Sequence, residues 1–272
     1  MTFLRKLAKF VLPYGLIEGA RTQRNVRELG LKFRARDYWR SEWIAHELET
    51  TGLSLFPAGQ LGRLRNVVDV GANVGQWSIM FLNLINPDRL VVIEPQPAAF
   101  QELQRLLGDR TNVRLCNTAI GATTGTTKFR VTRDTTGASI LPPRDEMRDL
   151  IGSNWSVTTE IEVPLTTLDC LLVDLPDISL LKIDVQGFEK AVLAGAFETL
   201  QRTDFILIEL NYMQQYEGGS WLGEIHEILT HEHPFVLVDA SKPLRLNGRA
   251  SMSDGLYVNP QRVPDFAKVE FV

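Results

Sequence analysis

Cysteine is scarce: two in 272 residues, Cys116 and Cys170, in unrelated contexts with no CxxC or Cys/His spacing. That excludes a disulfide framework and a zinc site, and it fits a reducing cytoplasm. Only four histidines occur, so imidazole chemistry has few candidates. No apolar run approaches the ~18–20 residues that cross a bilayer, and the stretch from Phe10 to Ile17 is interrupted by Pro13 and Gly15, so it reads as retained rather than as a cleaved signal. A basic excess is also missing. Lys+Arg 29 against Asp+Glu 33 gives a net charge of −4, which speaks against a nucleic acid partner. No internal repeat or low-complexity tract is visible.

What is present is the composition of a globular protein with one sizeable core, 44% hydrophobic and 23% charged. The charge is unevenly spread: residues 1–40 carry ten basic and three acidic side chains, so the remaining 232 residues sum to −11. Residues 3–12 place Phe3, Leu4, Leu7, Phe10 and Val11 on one helical face, opposite Arg5, Lys6 and Lys9. This basic amphipathic helix either rests on anionic lipid or a lipid-linked substrate, as a peripheral membrane contact, or packs its apolar face on the core. A further helix and a Gly- and Leu-rich connection are expected over 37–62. Residues 1–60 are thus read as a helical basic extension and 61–272 as the main domain.

From Asn66 short β-rich runs alternate with helical stretches. Strands are expected at Val67–Val70, Leu90–Glu94, Val113–Ile120, Leu180–Asp184, Phe205–Leu210, Phe235–Asp239 and Leu256–Val258, with helices at 75–86, 97–108, 187–201 and 220–232. Repeated strand-then-helix order with apolar strands predicts an α/β fold whose mostly parallel sheet is covered on both faces. A Thr-, Gly- and Pro-rich excursion over 121–170, with extra strands at 127–132 and 157–163, interrupts the rhythm; its insertion proper spans about 121–162. The polar loop from Ser241 to Ser253 permits an antiparallel last strand.

The first βα unit runs Val67-Val68-Asp69-Val70-Gly71-Ala72-Asn73-Val74-Gly75-Gln76. A strand ending in an acid and passing through glycines into a helix brings backbone N–H groups against a nucleotide-type cofactor. The dinucleotide pattern GxGxxG would need glycine at 73 and 76, where Asn73 and Gln76 stand, which disfavours a nicotinamide oxidoreductase. DxGxNxG instead resembles the first motif of S-adenosylmethionine-dependent methyltransferases. The second strand ends on Glu94, 25 positions after Asp69, where a Rossmann-like unit needs an acceptor for ribose hydroxyls.

The fourth core strand continues as Lys182-Ile183-Asp184-Val185-Gln186-Gly187-Phe188-Glu189, preceded by Val163-Pro164-Leu165-Thr166-Thr167-Leu168-Asp169 and followed by Phe205-Ile206-Leu207-Ile208-Glu209-Leu210. With these motifs in order, residues 65–260 resemble the FkbM-type methyltransferases. The resemblance implies the Rossmann-like seven-stranded methyltransferase sheet, mostly parallel with an antiparallel last strand and helices on both faces. It also implies methyl transfer from S-adenosyl-L-methionine, usually to a hydroxyl of a sugar or polyketide. Carried onto this chain, Asp69, Gly71, Ala72, Asn73 and Gly75 surround the methionine end of the cofactor. Glu94 takes the ribose, flanked by Pro95 and Gln96, and Asn117 with Ala119 lies towards adenine.

Asp184, at the carboxyl edge of the sheet, either faces the reacting methyl or caps the helix that follows. Proton removal from an alcohol needs a base or a metal. Asp184, Glu209 and Asn211 resemble the oxygen ligands that hold Mg²⁺ in catechol-type O-methyltransferases. His226 is either a base on the helix after the fifth strand or an exposed helix residue, and His231 and His233 stand beside it as further base candidates. The acceptor would meet the extension, the insertion and the 211–221 loop, where Trp155, Tyr212, Tyr216 and Trp221 offer aromatic faces; Arg133, Asp134 and Ser139 mark a turn-prone stretch fit for a lid. An N-methyltransferase on nucleic acid or protein is disfavoured because no (D/N)PP(Y/F/W) follows the fourth strand, and a non-catalytic binding protein is the remaining class.

Overall fold

The structure is a computed structural model that describes residues 52–266 apart from residues 58 and 152. The chain divides between Arg63 and Leu64 into two compact units. In the first, the described part consists of two 3₁₀ turns, Leu53–Leu55 and Leu61–Arg63, with Leu53, Leu55, Phe56 and Leu61 buried. These turns lie in the Gly- and Leu-rich connection expected at the end of the 37–62 segment, and the helix expected before it lies outside the described residues. The amphipathic helix expected over 3–12 lies outside the described residues.

The second unit is built on an eight-stranded sheet. Its strands are β1 (Asn66–Val70), β2 (Arg89–Ile93), β3 (Val113–Cys116), β7 (Ile178–Ile183), β8 (Thr203–Asn211), β9 (Val236–Ala240), β10 (Leu244–Leu246) and β11 (Arg249–Val258). The order runs β3-β2-β1-β7-β8-β11, and both β9 and β10 pair with the outer edge of β11. Pairings from β3 through β8 are parallel, whereas β11 lies antiparallel to β8. The strand beyond the expected seven is β10, joined to β11 by Asn247 and Gly248 at φ 48° and 78°. That Asn-Gly pair is a two-residue hairpin signal inside what read as a polar loop.

The central strands are apolar on both faces because helices cover both. All six residues of β7 are buried, and Val68, Leu181, Ile183, Ile206 and Ile208 belong to one core with Leu168, Val192, Leu193, Leu200, Ile225 and Leu229. The covering helices are α1 (Gln76–Leu84), α2 (Pro97–Leu107), α4 (Leu168–Leu171), α5 (Glu189–Ala194), α6 (Phe197–Gln201) and α7 (Leu222–Glu227). The helix expected over 187–201 is broken at Gly195, whose missing side chain leaves room for the Gly121 carbonyl; a Cβ there would lie 2.1 Å from that oxygen. Beyond α7, residues Ile228–Glu232 continue as a π turn.

The strand expected over 113–120 is two strands in two sheets. Asn117 Nδ2 donates to the carbonyls of Glu94 and Pro95 at 2.8 and 3.1 Å, which holds the end of β3 against the end of β2 and turns the chain away. Then β4 (Ala119–Ile120) joins β5 (Gly125–Thr132) and β6 (Val157–Thr166) in a three-stranded sheet, order β4-β6-β5. Ala119, Phe129, Ala138 and Val163 form its small core. The insertion also carries α3 (Asp145–Ile151), which the composition of that stretch did not suggest.

From β1 the chain proceeds to β2 and β3 on one side of the sheet, and β7 and β8 lie on the other. The crevice at the carboxyl ends of β1 and β7 is therefore the topological switch point, where open α/β sheets bind ligands.

Candidate active site

At the end of β1 the chain turns sharply: Gly71, Asn73 and Gly75 all have left-handed backbone, at φ 82°, 49° and 84°. Gly71 admits no side chain, because a Cβ would lie 1.8 Å from the Asp184 carbonyl oxygen. The Gly71 and Ala72 N–H groups donate to the Ile93 carbonyl at 3.0 and 3.1 Å, tying the turn to β2. Helix α1 then starts from Gly75 without a side-chain cap, so its positive end opens towards the crevice. Asn73 Oδ1 is buried and has no partner.

Glu94 faces this turn. Its Oε2 accepts from the Asn73 N–H and its Oε1 from the Gln96 N–H, both at 2.8 Å. Two of about four acceptor positions on the carboxylate remain for a diol. Burial pushes its pKa up to about 7, and the charges of Asp69 and Asp184 add to that, while the two backbone hydrogen bonds oppose it. Pro95 and Gln96 are buried beside it, with Pro97 opening α2.

Asp69 lies beneath the turn. It is fully buried, its Oδ2 accepts from Ser78 Oγ at 2.7 Å, and its Oδ1 lies 3.2 Å from Lys182 Nζ. Its side chain thus braces β1 against α1 and β7 and does not open into the crevice. Ala119 is also set apart: its side chain belongs to the small core of the second sheet, because β4 leaves the main sheet at Asn117.

Lys182 and Asp184 stand on the strand end beside Asp69. Lys182 Nζ is 3.4 Å from Asp184 Oδ2 and 5.7 Å from the centre of the Trp77 ring. Burial alone would lower the Lys182 pKa, but Asp69, Asp184 and Asp254 outweigh it and the net shift is upward. About a third of the Asp184 side chain is exposed. Capping the next helix is not its role. Glu189 holds the turn that leads into it, with Oε1 accepting from the Val185 and Gly187 N–H groups at 3.2 and 3.0 Å, and Ser220 Oγ accepts from the Lys190 N–H in the first turn at 2.9 Å.

Glu209, on β8, is buried. Its Oε1 accepts from Asn211 Nδ2 at 2.9 Å and its Oε2 from Gln186 Nε2 at 3.2 Å, and Gln186 Nε2 also donates to Asp184 Oδ1 at 2.8 Å. Burial, then the charges of Asp184 and Glu189, hold the Glu209 carboxyl well above the usual range. This arrangement does not fit Mg²⁺ on Asp184, Glu209 and Asn211. The Gln186 amide N–H₂ occupies the space between the two carboxyls, and Asn211 presents its own N–H₂ to Glu209 while its Oδ1 accepts from Gln215 at 2.6 Å. A hard cation needs oxygens there.

His226 is not among these groups. Its Nδ1 is 3.2 Å from the hydroxyl of Tyr257, which pairs with Ile206, three positions before the Glu209–Asp254 pair. At ~3.3 Å per residue this sets it roughly 10 Å down the sheet from the carboxyl edge. His231 contacts Thr230, and His233 lies beside the exposed Phe197 on the helical face. Of the aromatic candidates, Tyr216 and Trp155 are buried and stacked at 5.3 Å, while Tyr212 and Trp221 are exposed.

The structure adds residues that the motif reading passed over: Ser78, Lys182, Gln186 and Asp254. The available signal for Lys182 was a lysine inside the apolar run Leu180-Leu181-Lys182-Ile183, since a lysine buried on both faces of a sheet must be paired.

The crevice combines a glycine turn, a helix start without a side-chain cap, the buried Glu94 carboxyl just past β2 and Asp184 just past β7. The model of the methyltransferase FkbM domain matches residues 69–237. The chain belongs to the FkbM methyltransferase family. It is an S-adenosylmethionine-dependent methyltransferase, and the nicotinamide reading falls with that membership. Among curated relatives it is similar to the 2-O-methyltransferase NoeI of Sinorhizobium fredii, 29% identical over 171 residues that cover 60% of this chain and 70% of the relative. It is also similar to the 31-O-demethyl-FK506 methyltransferase FkbM of Streptomyces tacrolimicus, 28% identical over 207 residues covering 65% and 75%. Among solved structures, Aeropyrum pernix fibrillarin with bound S-adenosyl-L-methionine matches with a TM-score of 0.45 and 12% identity over 78% of this chain and 74% of that one.

Proposed function

We propose that this FkbM-family enzyme methylates a hydroxyl of a glycosyl group in a glycolipid, polysaccharide or glycosylated natural product. The observation that carries the reading is the pairing of the Glu94–Asn73 cradle with an accessible acid, Asp184, across Gly71. Both relatives have names that put their methyl group on oxygen, which supports an alcohol acceptor.

The cradle suits S-adenosylmethionine. Glu94 accepts from the ribose diol, the positive end of α1 faces the amino-acid carboxylate, and Asn73 Oδ1 accepts from a donor of the ligand. When bound, the cofactor supplies an electrophilic methyl on a sulfonium, whose displacement by oxygen depends chiefly on alignment. The protein orients the acceptor over the carboxyl ends of β1 and β7, and Asp184 takes the hydroxyl proton as that oxygen becomes bonded to carbon. Lys182, 3.4 Å away, steadies the carboxylate in this role.

The test is transfer of tritium-labelled methyl from S-adenosylmethionine to a panel of methyl glycosides, with Asp184→Asn beside the wild type. Labelling of a glycoside, lost in the variant while calorimetric affinity for S-adenosylhomocysteine is retained, is the expected result. Full activity of the variant removes Asp184 from the chemistry, and labelling of a macrolide hydroxyl alone moves the acceptor to the polyketide class.

A further inference from the structure

Gln186 follows Asp184 at φ 56°, a left-handed conformation that costs a side-chain-bearing residue ~1 kcal/mol or more. Its amide is fully engaged. One N–H₂ donates to both Asp184 Oδ1 and Glu209 Oε2, and Oε1 accepts from the Tyr216 hydroxyl at 3.1 Å. A flipped amide would set its carbonyl oxygen against two carboxyl groups, so the orientation is determined. Its backbone carbonyl accepts from Ser139 Oγ at 2.8 Å.

The residues that hold Gln186 come from the insertion and its neighbour loop. Tyr216 shares its one proton with the Gly137 carbonyl, also at 3.1 Å, and its ring stacks on Trp155. Gly187 completes the fit, because a Cβ there would lie 2.9 Å from the Tyr216 ring. Around Trp155 and Tyr216 pack Met147, Leu141, Met213 and Leu246, drawn from α3, both adjoining loops and β10. A left-handed glutamine held this way serves the group its amide grips.

Resting on the reading of Asp184 as the base, we infer that Gln186 is a positioning residue that aims the Asp184 carboxylate at the acceptor hydroxyl. Tyr216 and Ser139 make the insertion part of the reaction centre through it. In the step concerned the acceptor O–H bond breaks, its proton passes to Asp184, and the oxygen electron pair forms the new bond to the methyl carbon as the carbon–sulfur pair departs with sulfur. The amide stands between Asp184 and Glu209 and donates to both, which fixes the orientation of the Asp184 carboxylate.

Glycine is the informative substitution, since it adopts φ 56° without strain and so removes the amide while relieving the backbone. Gln186→Gly is expected to bind S-adenosylhomocysteine about as tightly as wild type, because its side chain bonds Asp184, Glu209 and Tyr216 and not the Glu94–Asn73 cradle, and to melt as cooperatively. Its kcat on the fastest-reacting methyl glycoside should fall ~10–100-fold with little change in KM, the scale expected when a reacting group loses alignment. Tyr216→Phe should lower kcat less, and that loss should vanish in the Gln186→Gly background, because Tyr216 acts through the amide. Undiminished kcat in Gln186→Gly, or an equal Tyr216→Phe effect in both backgrounds, overturns the inference. A wild-type enzyme that labels no glycoside overturns the acceptor class alone, and the same cycle is then measured on labelled-methyl incorporation into a cell extract.

Discussion

Glu94 makes donor binding depend on pH in a calculable way. Only the ionised carboxylate offers acceptor positions to both ribose hydroxyls while it keeps the Asn73 and Gln96 N–H groups, so the ligand binds the deprotonated form. With the pKa near 7 instead of its ordinary 4.5, roughly nine-tenths of the carboxyl is ionised at pH 8 and about one-tenth at pH 6. Affinity for S-adenosylhomocysteine should therefore fall about tenfold from pH 8 to pH 6, close to 1.4 kcal/mol, and binding at pH 7 should release about half a proton. Calorimetry in buffers of different ionisation enthalpy measures both. The sign for the unliganded fold is the reverse. Between about 4.5 and 7 the folded state holds a proton that the unfolded chain has released, so this group's contribution to stability declines as pH rises through that window. Glu94→Gln should bind more weakly and show almost no slope. A flat wild-type profile, or an equal slope in the variant, would refute the assignment of Glu94 to the ribose.

Gly71→Ala should destabilise the fold by at least ~2 kcal/mol, since it adds left-handed strain to a clash with the Asp184 carbonyl, and should abolish donor binding; denaturant midpoints check it, and a wild-type midpoint would show that the turn can yield. Lys182→Met leaves Asp69 buried without its cation, a change of ~3–5 kcal/mol that should lower Tm by roughly 6–20 °C for a unit of this size. Preserved melting in that variant would mean that Asp69 is neutral in the fold. Because amide N–H groups fill the space between Asp184 and Glu209, turnover should be unchanged after EDTA and unaffected by added Mg²⁺; activity lost on chelation and restored by the ion would show that Gln186 swings away to admit it.

The elements legible in the chain were those whose cause is local. Val67–Val70 and Leu180–Ile183 read as buried parallel strands because both faces demand apolar side chains, and Gly71 and Gly75 read as a turn because left-handed backbone favours glycine. The split of 113–120 was not legible, since it depends on Asn117 reaching the carbonyls of Glu94 and Pro95, more than twenty residues away. The same holds at the site. Glu94 could be placed from its strand end, whereas the inward turn of Asp69 depends on Ser78 and Lys182 together, and the demotion of His226 depends on the register of β11 against β8. Gln186 was quoted inside its motif without a role, because its partners other than Asp184 lie 23 to 47 residues away along the chain.

The crowding of acids around Lys182 also says why one of them serves the crevice. Asp69, Asp184, Glu189, Glu209 and Asp254 act on one another or on that lysine, and a single ammonium cannot offset five carboxylates. Burial instead shifts the pKa of Glu189, Glu209 and Asp254 upward, which lets protons take the place of counter-ions. Glu189 is held by the turn it caps, Glu209 by two amides, and Asp69 by Ser78 and Lys182. Asp184 differs in being partly exposed while keeping Lys182 on one oxygen and Gln186 on the other. It can exchange a proton with an acceptor and then with solvent, and the acids behind it can do so only by opening the core. The upward-shifted carboxyls are therefore part of the arrangement that sets Asp184, the acid proposed as the base, apart at the mouth of the sheet.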